Sequence, residues 1–98
     1  MRESKFQRTL ILKLNNLFPG CIVLKNDANQ LQGFPDLLVL HGKRWAALEC
    51  KRRCTSHLQD NQEYYVSLLN DMSFAAFIFP ENEEEVLSEL QEAFRNRG

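Results

Sequence analysis

No apolar stretch in this chain approaches the ~20 residues needed to cross a bilayer. The opening Met-Arg-Glu-Ser-Lys leads into an amphipathic segment and not into the apolar core of an export signal, so a cytoplasmic protein without membrane contact is expected. Repeats, linkers and low-complexity runs are also missing. The 98 residues leave no room for a second core, and a single domain over residues 1–98 is expected. A domain of this size buries only about 60 to 65% of its unfolded surface, so self-association would add to its stability.

Cysteine is scarce and odd in number. Three of them, with no export signal, point to free thiols in a reducing compartment. Cys50, Cys54 and His57 have a spacing that invites a zinc interpretation. A fourth ligand is lacking, however, and in a strand Cys50 would point away from its neighbours Glu49 and Lys51.

Net charge is nearly absent too, at −1, but the balance conceals a division. Residues 1–58 hold ten Lys and Arg against four Asp and Glu, whereas residues 59–98 hold two against nine. A basic front half suits a polyanion, because Lys and Arg supply sequence-independent attraction to phosphates. The acids between Glu81 and Glu92 read as the solvated face of a helix.

What the chain does have is a patterned succession of elements. Phe6, Leu10, Leu14 and Leu17 recur at helical spacing and predict a helix over Arg2 to Leu17, ended by Phe18-Pro19-Gly20. Glu3 extends that inner stripe, although an acid in a first turn is also favoured by the helix dipole alone. Cys21 to Lys25 is a short strand, and Asn26 to Gln32 is turn-like. Asp36 to His41 and Trp45 to Arg52 are the arms of a hairpin around Gly42-Lys43-Arg44. A helix from about His57 to Met72, capped by Thr55 or Ser56, would turn Leu58, Tyr65, Leu68, Leu69 and Met72 inward. Phe74 to Phe79 reads as a buried strand closed by Pro80. A last helix, Asn82 to Arg95, faces Val86, Leu87, Leu90 and Phe94 inward. The order αβββαβα predicts an α/β fold with a mixed central sheet flanked by helices.

The hairpin carries the chemistry. Asp36 begins one arm, while Glu49 and Lys51 end the other, projecting from the same face as Trp45 and Ala47. Two carboxylates and an ammonium therefore meet at one sheet edge. Asp36 and Glu49 offer hard oxygen ligands for Mg2+ or Mn2+, and Lys51 can stabilise charge on a phosphate or position a water. Without a cation, mutual repulsion would raise the pKa of one acid. Each residue has a plainer account, since Pro-Asp is a common turn signal and Glu-x-Lys a common surface pair. Jointly, at the ends of two strands apolar enough to be central, they point to phosphodiester hydrolysis.

Gly33-Phe34-Pro35-Asp36, a hairpin and then Glu49-Cys50-Lys51 resemble the PD-(D/E)xK nuclease superfamily. More narrowly, they resemble the short free-standing VRR-NUC type found in phages, similar in design to phage Holliday-junction resolvases. The resemblance covers nearly the whole chain, from Glu3 on the first helix to Gln62 and Tyr65 on the second and the strand and acidic helix that follow. It implies a restriction-endonuclease-like core and a Mg2+-dependent endonuclease, with Mn2+ as substitute. Asp36 and Glu49 would bind metal, the Cys50 carbonyl would complete the inner shell, and Glu3 would reach it directly or through water. Lys51 would be the catalytic lysine, and Gln62 would orient it or contact phosphate.

DNA contact is expected from Arg2, Lys5 and Arg8 on the first helix and from Lys43, Arg44, Arg52 and Arg53 around the hairpin. No base-reading element is present, so selectivity would come from DNA shape. The resemblance further implies a two-fold homodimer suited to paired nicks in a four-way junction, within the host-cell cytoplasm if phage-encoded, and no nucleotide cofactor. Two other functions fit the same residues: a nonspecific or flap-type repair nuclease, and a non-catalytic nucleic-acid-binding module.

Overall fold

Alternation in the central strands decides the architecture. In the computed structural model, which describes residues 3–26 and 31–96 with Glu3 and Asn96 as backbone only, β1 (Ile22–Lys25), β2 (Leu37–His41), β3 (Arg44–Cys50) and β4 (Phe74–Ile78) form one sheet in that order. The first two pairings are antiparallel and the third is parallel. A parallel step needs a crossover, and α2 (Gln62–Met72) supplies it. With α1 (Glu3–Leu17) and α3 (Glu83–Asn96) the order is the expected αβββαβα.

Because successive strand residues face opposite ways, β2, β3 and β4 each feed two cores. Leu37, Val39, Ala46, Leu48, Cys50 and Ile78 pack with Phe6, Leu10 and Leu14 of α1 and with Val86, Leu87, Leu90 and Phe94 of α3. On the other side Ala47 and Ala75 pack under Val66 and Leu69 of α2, with Phe34, Leu38, Trp45, Tyr65 and Phe77 around them. The α3 stripe is the one expected, and Asn82 fixes its start by accepting from the Phe79 amide and donating to the Phe77 carbonyl.

Several boundaries differ from expectation. In α1 the buried stripe closes on Phe18, while Leu17 is exposed, because the Phe18 amide still bonds the Leu14 carbonyl and carries the helical path one residue further. β3 stops at Cys50 and leaves Lys51 just beyond the strand. The largest change is in α2, which starts at Gln62 and not near His57. Asn61 adopts a left-handed φ of 71° that breaks any helix running through it, and Ser56 bonds locally to the Arg53 amide in place of capping. Leu58, Leu68 and Met72 are consequently exposed, and Val66 takes the inward place.

Candidate active site

The hairpin register brings the acids together. Leu37 pairs with Leu48, so one step outward Asp36 comes abreast of Glu49, both on the α2 side of the sheet. Fully buried Pro35 seats the approach to β2. The Asp36 backbone carbonyl accepts from the Asn26 amide at 2.7 Å, and its side-chain Oδ2 accepts from the Cys50 amide at 2.9 Å. Lys51, also on the α2 side, is held by its own amide, which donates to the Ile78 carbonyl at 2.9 Å.

Around Glu49 and Lys51 the structure builds a buried polar network. Gln62 Nε2 donates to Glu49 Oε2 at 2.8 Å, and Gln62 Oε1 accepts from Lys51 Nζ at 2.6 Å and from the Gln59 amide at 2.8 Å. Lys51 Nζ also donates to the His57 carbonyl at 3.2 Å and stands 3.9 Å from Glu49 Oε2. Only 2% of Glu49, 7% of Lys51 and 8% of Gln62 is accessible. An ion pair this deep is costly unless its members are also hydrogen-bonded, and Gln62 binds both, Lys51 Nζ through its amide oxygen and Glu49 Oε2 through its amide nitrogen. Two of the three ammonium protons are thereby assigned, and the third remains for a substrate oxygen or water.

Burial pushes the Asp36 carboxyl above its ordinary value. The Cys50 amide, the charges of Lys51 and Lys25, and a hydrogen bond with the Glu49 carboxyl all oppose that rise. A half-buried acid abreast of a second carboxyl is a place where a proton or a cation relieves repulsion. The donor set therefore fits a hard divalent ion. Among the described residues no third His, Cys, Asp or Glu side chain joins the pair, so backbone carbonyl, water and phosphate oxygens would fill the remaining positions.

Two further elements shape this corner, the first of them missed by sequence reasoning. The chain from His57 to Asn61 is not helix but a strap that supplies the His57 carbonyl and the Gln59 amide to the network. Gly33, at φ +86°, lies flat against it: a Cβ there would stand 2.5 Å from the Asp60 carbonyl oxygen and 2.7 Å from the Asn61 Cβ. Glycine before Phe34-Pro35 signalled a close approach. The left-handed Asn61 had a weaker signal, since Asp-Asn tolerates that conformation without demanding it.

The basic residues divide. Arg52 and Arg53 are exposed immediately after Lys51. Phe18, just past the end of α1, packs its ring 5.5 Å from that of His41 at the hairpin turn. The opposite end of α1, with exposed Lys5 and Arg8, is thereby directed toward the Asp36 end of the sheet. Lys43 and Arg44 are at the other end. Five strand residues at about 3.3 Å each put Arg44 some 17 Å from Glu49. Arg2 and the Glu3 side chain lie outside the described residues. Cys50 faces the α1/α3 core, on the other side of the sheet from Glu49, while Cys54 is exposed. No described helix is long and apolar enough to cross a membrane.

No protein-family model matches the chain, and no curated protein matches it by sequence. Among solved structures it is similar to Hjc, a Holliday junction resolvase from the archaeal hyperthermophile Archaeoglobus fulgidus. The likeness has a TM-score of 0.52 at 15% identity and covers 78% of this chain and 67% of that one. At that identity the match concerns the fold: the restriction-endonuclease-like α/β core with a mixed four-stranded sheet is the one observed.

Proposed function

We propose that this protein is a metal-dependent DNA endonuclease of the PD-(D/E)xK superfamily, of the small VRR-NUC type met in phages, acting on branched DNA such as Holliday junctions. One observation carries the proposal: at one end of the central strands Glu49, Lys51 and Gln62 form a buried hydrogen-bonded cluster, with half-buried Asp36 held abreast of Glu49 by the Cys50 amide. The fold shared with an archaeal enzyme named as a junction resolvase supports the branched substrate.

Asp36 and Glu49 would hold Mg2+, or Mn2+ in its place, with the Cys50 carbonyl and Glu3 as further ligands. When bound, the ion would lower the pKa of a water and offset charge on the phosphate. The chain's own residues do the rest. Lys51 presents its remaining proton to the attacked phosphate or the incoming water. Gln62 fixes where that proton points, because it ties Lys51 and Glu49 into one rigid unit. Arg52, Arg53, Lys5, Arg8 and Arg2 would grip the backbone beside the cut, and Lys43 and Arg44 would contact it further along. In-line attack by water would leave a 5′-phosphate and a 3′-hydroxyl. Two copies related by a two-fold axis would make paired cuts in the cytoplasm, that of an infected cell if the protein is phage-borne.

Labelled four-way, flapped and linear duplex DNA, each incubated with Mg2+, Mn2+ or Ca2+, tests this. Cutting of the four-way junction with Mg2+ or Mn2+ is expected, falling about a thousand-fold in Lys51→Ala. Equal cutting of flapped or linear DNA would favour a repair nuclease. An uncut panel would leave a non-catalytic nucleic-acid-binding module, and a Lys51→Ala variant as fast as the parent would overturn the chemistry assigned to this cluster.

A further inference from the structure

One hollow shares Lys51 with the candidate active site and has no part in the chemistry assigned there. Strand register explains its position. Glu49 pairs with Phe77 of β4, so the row of side chains that begins with Asp36 and Glu49 ends on an aromatic ring at the sheet edge. Phe77 packs on the α2 side, as Glu49 does. Past the end of β4 the Lys51 amide bonds the Ile78 carbonyl, and Phe79 lines the hollow together with Lys51. Both rings are half-buried.

The hollow has a volume of about 300 Å3, at the lower end of the range for small-ligand sites. Phe77, Phe79 and Leu58 make it apolar, while Lys51 and Arg53 bring positive charge. Glu63, in the first turn of α2, adds a carboxylate. That lining matches a flat apolar ring with a phosphate on one side and an amino group on the other. A base joined to its phosphate is such a ligand. Aromatic rings and guanidinium planes both stack on bases, and carboxylates accept from the amino groups on base edges.

We infer that this hollow receives an unstacked base of the strand being cut, from a nucleotide adjoining the phosphate at Lys51. Such a seat deepens the proposed nuclease function, on which it rests, by giving it a reason to choose branched DNA. A base inside a continuous duplex is stacked and paired, and extracting it is costly. The cost is least where the strand is mismatched or single-stranded, as it is where a branch opens the duplex. Occupancy of the seat thus reports that the helix is open at the place to be cut. Glu63 adds a preference among bases. Cytosine, adenine and guanine each present an amino group, whereas thymine presents a carbonyl oxygen that a carboxylate repels.

The test uses the full chain, Mg2+ and a branched DNA whose cut has been mapped, with each base or an abasic residue placed beside that cut. The parent should cut the cytosine substrate about tenfold faster than the abasic one, the loss expected for one stacked base. Phe79→Ala should be about tenfold slower than the parent on cytosine and converge with it on the abasic substrate. The parent should separate cytosine from thymine roughly fivefold. Glu63→Gln, at an exposed position, should lose that separation, because an amide can turn either its oxygen or its nitrogen to the base. In EDTA and at saturating protein, 2-aminopurine beside the cut should brighten with the parent and not with Phe79→Ala, as the base leaves the duplex stack. Equal rates on cytosine and abasic DNA, with unchanged 2-aminopurine, overturn the inference and spare the nuclease. So does a loss in folded Phe79→Ala that persists on the abasic substrate, the mark of a ring that only supports Lys51. Should Phe79→Ala fail to fold, an undiminished cytosine preference in Glu63→Gln is the overturning result. A parent that cuts no DNA removes the nuclease function, and the seat falls with it.

Discussion

The two sides of the sheet show how differently one set of strands can be used. Toward α1 and α3 the strands present Leu37, Val39, Ala46, Leu48 and Ile78 to apolar partners, and the result is a core with Leu10, Leu14, Leu48 and Leu90 at 0% exposure. Toward α2 the same strands carry Glu49 and Lys51 beside Ala47, under a helix that begins with a buried glutamine. The first side stabilises the fold. The second accepts a desolvated ion pair and an acid whose carboxyl is pushed up, and such departures from good core design collect where function does.

That contrast can be broken from either side. Leu10→Ala or Leu90→Ala should cost about 3 kcal/mol in urea or thermal unfolding, because each leaves a cavity among rigid neighbours. Cutting by the fraction still folded should be unchanged. Gly33→Ala strikes the other side. It should cost more than about 1 kcal/mol, since alanine is strained at positive φ and its methyl collides with the strap. It should also lower kcat, because moving the strap moves Gln62. Asn61→Gly, relieving a left-handed residue without adding atoms, should stabilise by up to about 1 kcal/mol.

The smallest effect is electrostatic and depends on pH. The folded state holds the Asp36 carboxyl above its ordinary value of 3.8, so ionising it at neutral pH opposes folding. Stability should rise as pH falls through the raised folded value, with the gain complete below 3.8. Asp36→Asn, which keeps an oxygen for the Cys50 amide, should be more stable than the parent at pH 7 without divalent ions, and lose that advantage near pH 4. Added Mg2+ or Mn2+ should raise the melting temperature of the parent and not of the variant.

The hairpin was the most legible part of the sequence. Apolar runs either side of Gly42-Lys43 set its register, and the register alone brings Asp36 abreast of Glu49. The start of α2 was not legible. Leu58, Tyr65, Leu68 and Met72 have helical spacing, but the first of these belongs to the strap and two of the others to an uncovered flank. Periodicity reports which residues could share a face and is silent on whether anything covers it. The basic residues divide for a related reason: Lys43 and Arg44 neighbour the acids in sequence, yet a hairpin sends its turn to the opposite end from its open arms.

The pairing of β3 with β4 ties chemistry to completion of the chain. The Lys51 amide is anchored to the Ile78 carbonyl, which becomes available only after α2 has crossed over. A nascent or truncated polypeptide ending before Phe74 would present Asp36, Glu49 and Lys51 on a ribbon with a loose end. Such a fragment would carry the side chains proposed for the chemistry without the anchor that aims Lys51, so activity would have to await the synthesis of β4.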